Sequence, residues 1–191
     1  MRPSSAAIAF HMVDLGVVIG GDLRTLGGLA RGVEEAGFES VWVAETARSA
    51  YVQAAVAAAA TSRVAVGTDI ALAFPRSPTI TAMAARDLSE LSGGRFILGL
   101  GTQVKRVNEQ RFGIPFEHPA PKVGEVVRAI RAVLGAYDGK PMDHRGRFFR
   151  ITMPPFPGAG PAPGGGARGR RGRARPVRGE CHDRNDPAAV G

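Results

Sequence analysis

The sequence predicts an α/β protein built on a parallel sheet. Two patterns carry this reading. Short runs of nearly continuous apolar residues alternate with longer segments of helical periodicity, in the order βαβαβαβα. Strands apolar on both faces belong to sheets covered by helices. Capping residues and glycines also stand at the joints between the runs. An open doubly wound sheet and a (β/α) barrel both fit that order.

The first strand is VDLGVVIG, residues 13–20. Asp22 follows as the N-cap of a helix whose Leu23, Leu26, Ala30 and Val33 share one face, and Gly37 ends it. SVWV, residues 40–43, is a short buried strand, and an alanine-rich helix runs from about 49 to 61. The third strand is VAVGTDIAL, residues 64–72. Ser77 and Pro78 then take the N-cap and first-turn positions of a helix with Ile80, Met83, Ala84, Leu88 and Leu91 on its apolar stripe. Gly93 and Gly94 stop that helix, and RFILGL, residues 95–100, is the fourth strand. Val123, Val126, Val127, Ile130, Val133 and Leu134 recur at helical spacing and mark a fourth helix.

Composition changes abruptly near Phe156. Residues 158–191 hold seven arginines against three acids, which is half of the net charge of +8. Glycine, proline, arginine and alanine dominate there. Such a segment buries too little apolar surface to offset its ordering entropy, so it is expected to be disordered. The chain thus divides into a folded domain, 1–157, and a Gly/Pro/Arg-rich tail, 158–191. The single cysteine, Cys181, excludes an internal disulfide and suits a reducing compartment. The first residues are too polar for a secretory signal and no run approaches a membrane span, so a cytoplasmic protein is expected. Cys181, His182 and Asp183 lack further ligands at zinc spacing.

In either architecture the chemistry belongs at the carboxyl ends of the strands, here 44–49, 69–77 and 101–113. His11 lies before the first strand, opposite that end, and reads as structural. The dinucleotide fingerprint G-x-G-x-x-G is missing. Gly20, Gly21, Gly27 and Gly28 have the wrong spacing, and GLGTQV lacks the third glycine.

RSPTITAMAARDLSELSGGRFILGLGTQ, residues 76–103, resembles the luciferase-like monooxygenase superfamily, in which R-x-P opens a helix and L-S-x-G-R leads into a strand ending G-x-G. GFESVWVAET, HPAPKVGEVVRAIRAVL and HRGRFFRI extend the likeness over about residues 12–156, closest to the branch of coenzyme F420-dependent oxidoreductases. The resemblance implies the N-terminal half of a (β/α)8 TIM barrel, about four βα units. It further implies a deazaflavin, coenzyme F420, or alternatively FMN, at the barrel mouth, with hydride passing between its ring and a small organic substrate. A homodimer is a further implication, since members of the family often pair through their early helices.

Carried over residue by residue, the resemblance sets the ring against a bulge at Asp69, Ile70 and Ala71, with a non-proline cis peptide expected at Asp69–Ile70. Gly101, Thr102 and Gln103 leave the fourth strand beside it and are expected to border the cofactor; a local turn role is the alternative. Glu45 and Thr46 stand where relatives carry an Asp-His pair that acts on substrate. Glu45 keeps the acid and Thr46 replaces the histidine, so a catalytic role for Glu45 competes with a solvated or capping carboxylate. Thr46 does not titrate near neutral pH. Arg76 reads as an anion contact or as a partner of nearby carbonyls.

The likeness ends after four βα units, and PGAGPAPGGGARGRRGRARPVRG follows in place of a fifth strand. A truncated or frameshifted product is the expectation. Four strands closed by nothing leave unpaired edges, so the isolated chain is expected to associate or stay partly molten, with negligible cofactor affinity. A separate reading has the arginine-glycine tail bind RNA, but it carries no interleaved aromatic residue.

Overall fold

The computed structural model describes residues 15–156 and the backbone of a strand at Arg178–Gly179. His11, Cys181, His182, Asp183 and nearly all of the expected disordered tail lie outside the described residues.

Four parallel strands come first in consecutive order. β1 (Gly16–Ile19), β2 (Ser40–Val43), β3 (Ala65–Thr68) and β5 (Phe96–Ile97) are neighbours in that sequence. Between them run α1 (Leu23–Glu35), α2 (Ala50–Ala60) and α3 (Pro78–Leu91). Right-handed crossovers taken in unbroken order keep every helix on one face of the sheet. A doubly wound sheet would reverse its order; this sheet curls as part of a (β/α) barrel.

The third and fourth strands are each interrupted. Residues 64–72 form β3 and then β4 (Ala71–Leu72), separated by Asp69 and Ile70; residues 95–101 form β5 and then β6 (Gly99–Gly101). β4 pairs with β6, so the sheet continues past both breaks toward the mouth. The break at Asp69 and Ile70 falls where the resemblance sets a bulge, and the break at Leu98 corrects the continuous fourth strand expected at 95–100. Beyond β6 the backbone at Arg178–Gly179 adds a parallel strand, β9, with Gly99 opposite Arg178. That position is the one a fifth strand takes.

The helix-facing side of the sheet is dense. Val41, Val43 and Val66 have no exposed surface, and neither do Ala54 and Ala57 of α2 above them. Alanine lets the helix lie close, which suits a fold whose neighbouring helices touch: a Cβ on Gly27 of α1 would meet Ala60 of α2 at 3.2 Å. Small residues also overturn the expected stripe of α3. Thr81, Ala82, Ala85 and Leu88 are buried, while Ile80, Met83 and Leu91 are 54, 44 and 52% exposed. Close packing selected the small-residue face; hydrophobicity alone had pointed to the larger side chains.

The other side of the sheet is the barrel interior. Val18, Trp42 and Gly67 lie in one row across β1, β2 and β3. Trp42 fills this row, its Nε1 donating to Ser40 Oγ at 2.9 Å.

The end opposite the mouth is fastened by charged side chains on backbone. Glu34, at the end of α1, accepts from Ser62, Arg63 and Val64 N–H and from the Ser62 hydroxyl. Partial burial pushes this carboxyl up, but the N–H groups of Val64, Arg63 and Ser62 outweigh it and hold it at about 2. Arg95, the arginine of L-S-x-G-R, donates to the carbonyls of Ala58, Thr61 and Val64 and to the Thr61 hydroxyl. It satisfies the carbonyl of Ala58 in the last turn of α2 and that of the capping Thr61, at the helix end where intrahelical N–H partners run out.

After β6 come a short α4 (Lys105–Arg111) and a long α5 (Pro119–Tyr137), then an antiparallel hairpin of β7 (Met142–Arg145) and β8 (Arg150–Met153). α4 and the hairpin carry no clear sequence signal. Glu125 of α5 holds the hairpin turn, accepting from the N–H groups of Arg147, Phe148 and Phe149. Among the described residues no helix is long and apolar enough to cross a membrane.

Candidate functional site

The carboxyl ends of β2, β4 and β6 meet at one point. The peptide bond Asp69–Ile70 is cis, where the resemblance put it. On one side of this bulge Asp69 N–H donates to Val43 O at 2.8 Å; on the other, Ala73 N–H donates to Gly101 O at 2.9 Å. Residues 69–73 are thereby sewn between β2 and β6.

Two glycines make this approach feasible. A Cβ on Gly99 would fall on the backbone oxygen of Thr68, and the Thr68 hydroxyl both donates to Gly99 O (2.8 Å) and accepts from Gly99 N–H (2.9 Å). A Cβ on Gly101 would fall on Cδ1 of Ile70. The space that glycine leaves at 101 is thus taken by the Ile70 side chain, which covers the strand end with a branched apolar surface. Asp69 beside it is exposed.

Glu45 grips the bulge from the β2 side. Its N–H donates to Ile70 O at 3.1 Å, and its Oε2 accepts from Leu72 N–H at 2.8 Å. Arg76 closes on the same carboxylate with both terminal nitrogens, Nη1 at 2.8 Å from Oε2 and Nη2 against Oε1. Glu45 is buried, 9% exposed. Its carboxylate, by hydrogen bond and by charge, holds the Arg76 guanidinium above its ordinary range. The guanidinium also lies over the Tyr51 ring, 4.9 Å from its centroid. Burial pushes the Tyr51 hydroxyl upward, so it stays protonated.

The loop after β6 turns sharply at Gln103. Gln103 has φ of 60°, and its Oε1 accepts from Val104 N–H at 3.0 Å; the Thr102 hydroxyl donates to Gln103 O at 3.1 Å. Asn108, fully buried, ties the turn to α4 by donating to Thr102 O (2.8 Å) and Val104 O (3.1 Å). Arg111 reaches across to Thr46 O at 2.6 Å. Thr46 itself is exposed on the rim.

The structure therefore brings Glu45, Thr46, Asp69, Ile70, Ala71, Gly101, Thr102 and Gln103 to one end of the sheet. What sequence reasoning missed are the connections: the Glu45–Arg76 clamp, the Asn108 tie and the Arg111 strap. Arg76 was visible in R-x-P, but its partner lies 31 residues away. Among the described residues no three His, Cys, Asp or Glu side chains are grouped to hold a metal.

Fold and site together define a (β/α)-barrel portion whose third strand ends in a bulge clasped at the mouth. The chain belongs to the luciferase-like monooxygenase family, which matches residues 6–177. An uncharacterized protein of Mycobacterium tuberculosis is 42% identical over 127 residues, 65% of this chain. The chain spans 37% of that relative's length. A second protein of that organism, provisionally named a coenzyme F420-dependent oxidoreductase, is 36% identical over 65% of this chain and 36% of its own. The solved coenzyme F420 dependent tetrahydromethanopterin reductase of Methanopyrus kandleri superposes with a TM-score of 0.61 at 23% identity, over 74% of this chain and 44% of that one.

Proposed function

We propose that this chain carries the ring-side half of the site of an F420- or flavin-dependent oxidoreductase, acting on a small organic substrate in the cytoplasm. One observation carries the reading: residues 69–71 and 101–103 lie side by side, joined through β4 and β6, at the end of the sheet where barrel chemistry belongs. The residues fit a flat heterocycle. Ile70, half-buried beside the exposed Asp69, offers the apolar surface at the strand end, with Ala71 and Gly101 packed beneath it and the Ile70 side chain lying where a Cβ at 101 would stand. Thr102 and Gln103 place a hydroxyl and an amide at its border.

Coenzyme F420 is favoured by the identity to the provisionally named oxidoreductase, and FMN is the alternative. Either group, when bound, supplies a ring carbon or nitrogen that gives or takes a hydride. The protein's part is to back the ring with residues 69–71, border it with 101–103, and leave Thr46, exposed on the rim, facing substrate. The early helices supply the face for a homodimer.

Later βα loops supply much of a barrel's phosphate grip, and the chain spans little more than a third of its relatives. Titration of the full isotope-labelled chain with F420 and with FMN, followed by amide chemical shifts, tests the reading. Shifts concentrated at 69–71 and 101–103 are expected with one of the two; shifts spread elsewhere, or none with either, overturn it.

A further inference from the structure

We infer that Glu45 and Arg76 form a positioning pair that sets the backbone of residues 70–72 at the mouth, and that Glu45 acts through this grip and not as an acid or base. The inference rests on the site reading above for its purpose, but on geometry for its content. Glu45 touches the bulge twice, once by its own N–H on Ile70 O and once by its carboxylate on Leu72 N–H, so Ala71 is bracketed between two contacts from a single residue.

Arg76 fixes that residue in turn. Both carboxylate oxygens are engaged by the guanidinium, and one of them also accepts from Leu72. Three N–H donors, two of them from a permanently charged guanidinium, thus occupy the two carboxylate oxygens. Arg76 is anchored at its far side over the Tyr51 ring of α2, and it immediately precedes Ser77, which caps α3 by accepting from Ile80 N–H. The bulge, α2 and the start of α3 are thereby held by one guanidinium. A bidentate fork matters here because a lysine presents only a point charge.

The test uses the full chain in four forms: unaltered, Glu45→Gln, Arg76→Gln and Arg76→Lys. Amide exchange at Leu72 is followed against Ala57 in α2 and Val133 in α5, which are buried and remote. Loss of a charge-assisted bond is expected to speed Leu72 exchange about tenfold in both glutamine variants, with the two reference amides unchanged. Arg76→Lys should retain part of the protection. FMN is the probe for the second readout: its shift pattern at Ala71 should change in the glutamine variants while that at Thr102 persists.

Unchanged Leu72 exchange overturns the pair, as does equal acceleration at Ala57 and Val133, which would make it a general stabilising contact. If FMN leaves residues 69–71 of the unaltered chain untouched, the site reading loses its flavin arm while Leu72 exchange still decides the pair.

Discussion

The indole of Trp42 occupies the space that a side chain at position 67 would need: a Cβ on Gly67 would clash with the six-membered ring, against its Cζ3 and Cε3. The two residues are opposite one another on β2 and β3. A bare backbone on one strand thus accommodates the largest side chain on the next, and the interior row is filled by one residue where a barrel layer ordinarily uses several.

Gly67→Ala is accordingly expected to displace the indole and to destabilise the fold by about 1–3 kcal/mol through overpacking. Trp42 is the sole tryptophan, so its emission reports the change directly. A shifted emission maximum with a lower denaturant midpoint is the expected pair of results. An unaltered spectrum would show that the indole does not lie against Gly67.

Arg95 makes four hydrogen bonds to the end of α2 and the segment after it. Arg95→Ala leaves the carbonyls of Ala58 and Thr61 without this donor and should cost about 2 kcal/mol in thermal or denaturant unfolding. Arg95→Lys cannot span the same acceptors and should recover less than half of that. Faster amide exchange is expected to begin in the last turn of α2 and not in α5.

Glu34 gives the protein an acid-sensitive fastening. Its folded value of about 2 lies below its ordinary 4.5. A depressed carboxylate contributes stability that is fully present above the ordinary value and is lost as pH falls through the folded one. The window is therefore about pH 4.5 to 2. The group is partly solvated, so screening limits the contribution to about 1 kcal/mol. Denaturation of Glu34→Gln across that window should show a flatter pH dependence than the unaltered chain, and identical slopes would remove Glu34 from the acid response.

The order of elements was legible because each relied on local signals. Asp22 and Ser77 do cap their helices, accepting from Arg24 and Ile80 N–H, and Gly93 and Gly94 adopt φ of 62° and 83° after α3. The packed face of α3 was not legible, since it depends on how near α2 and α5 come, which only small residues such as Ala82 and Ala85 permit. Positions 45, 69–71 and 101–103 could be placed at the mouth by resemblance. Their mutual hydrogen bonds could not, because Glu45 and Leu72 are brought together by strand pairing across 27 residues. Gly101 illustrates the difference: the resemblance sets it at the mouth, but that the Ile70 side chain takes the space where its Cβ would stand is seen only in the folded chain.

The fastenings at the end opposite the mouth do not join neighbours along the chain. Glu34 leaves the first βα unit and closes on residues 62–64, past the whole of the second unit; Arg95 leaves the fourth strand and closes on the helix of the second. Each clasp skips a unit. A cut in the loop between α1 and β2 would therefore not free α1, whose carboxylate still holds the loop before β3. Connectivity and cohesion follow different routes through this sheet, and the units can be permuted in order only where no clasp bridges the new ends.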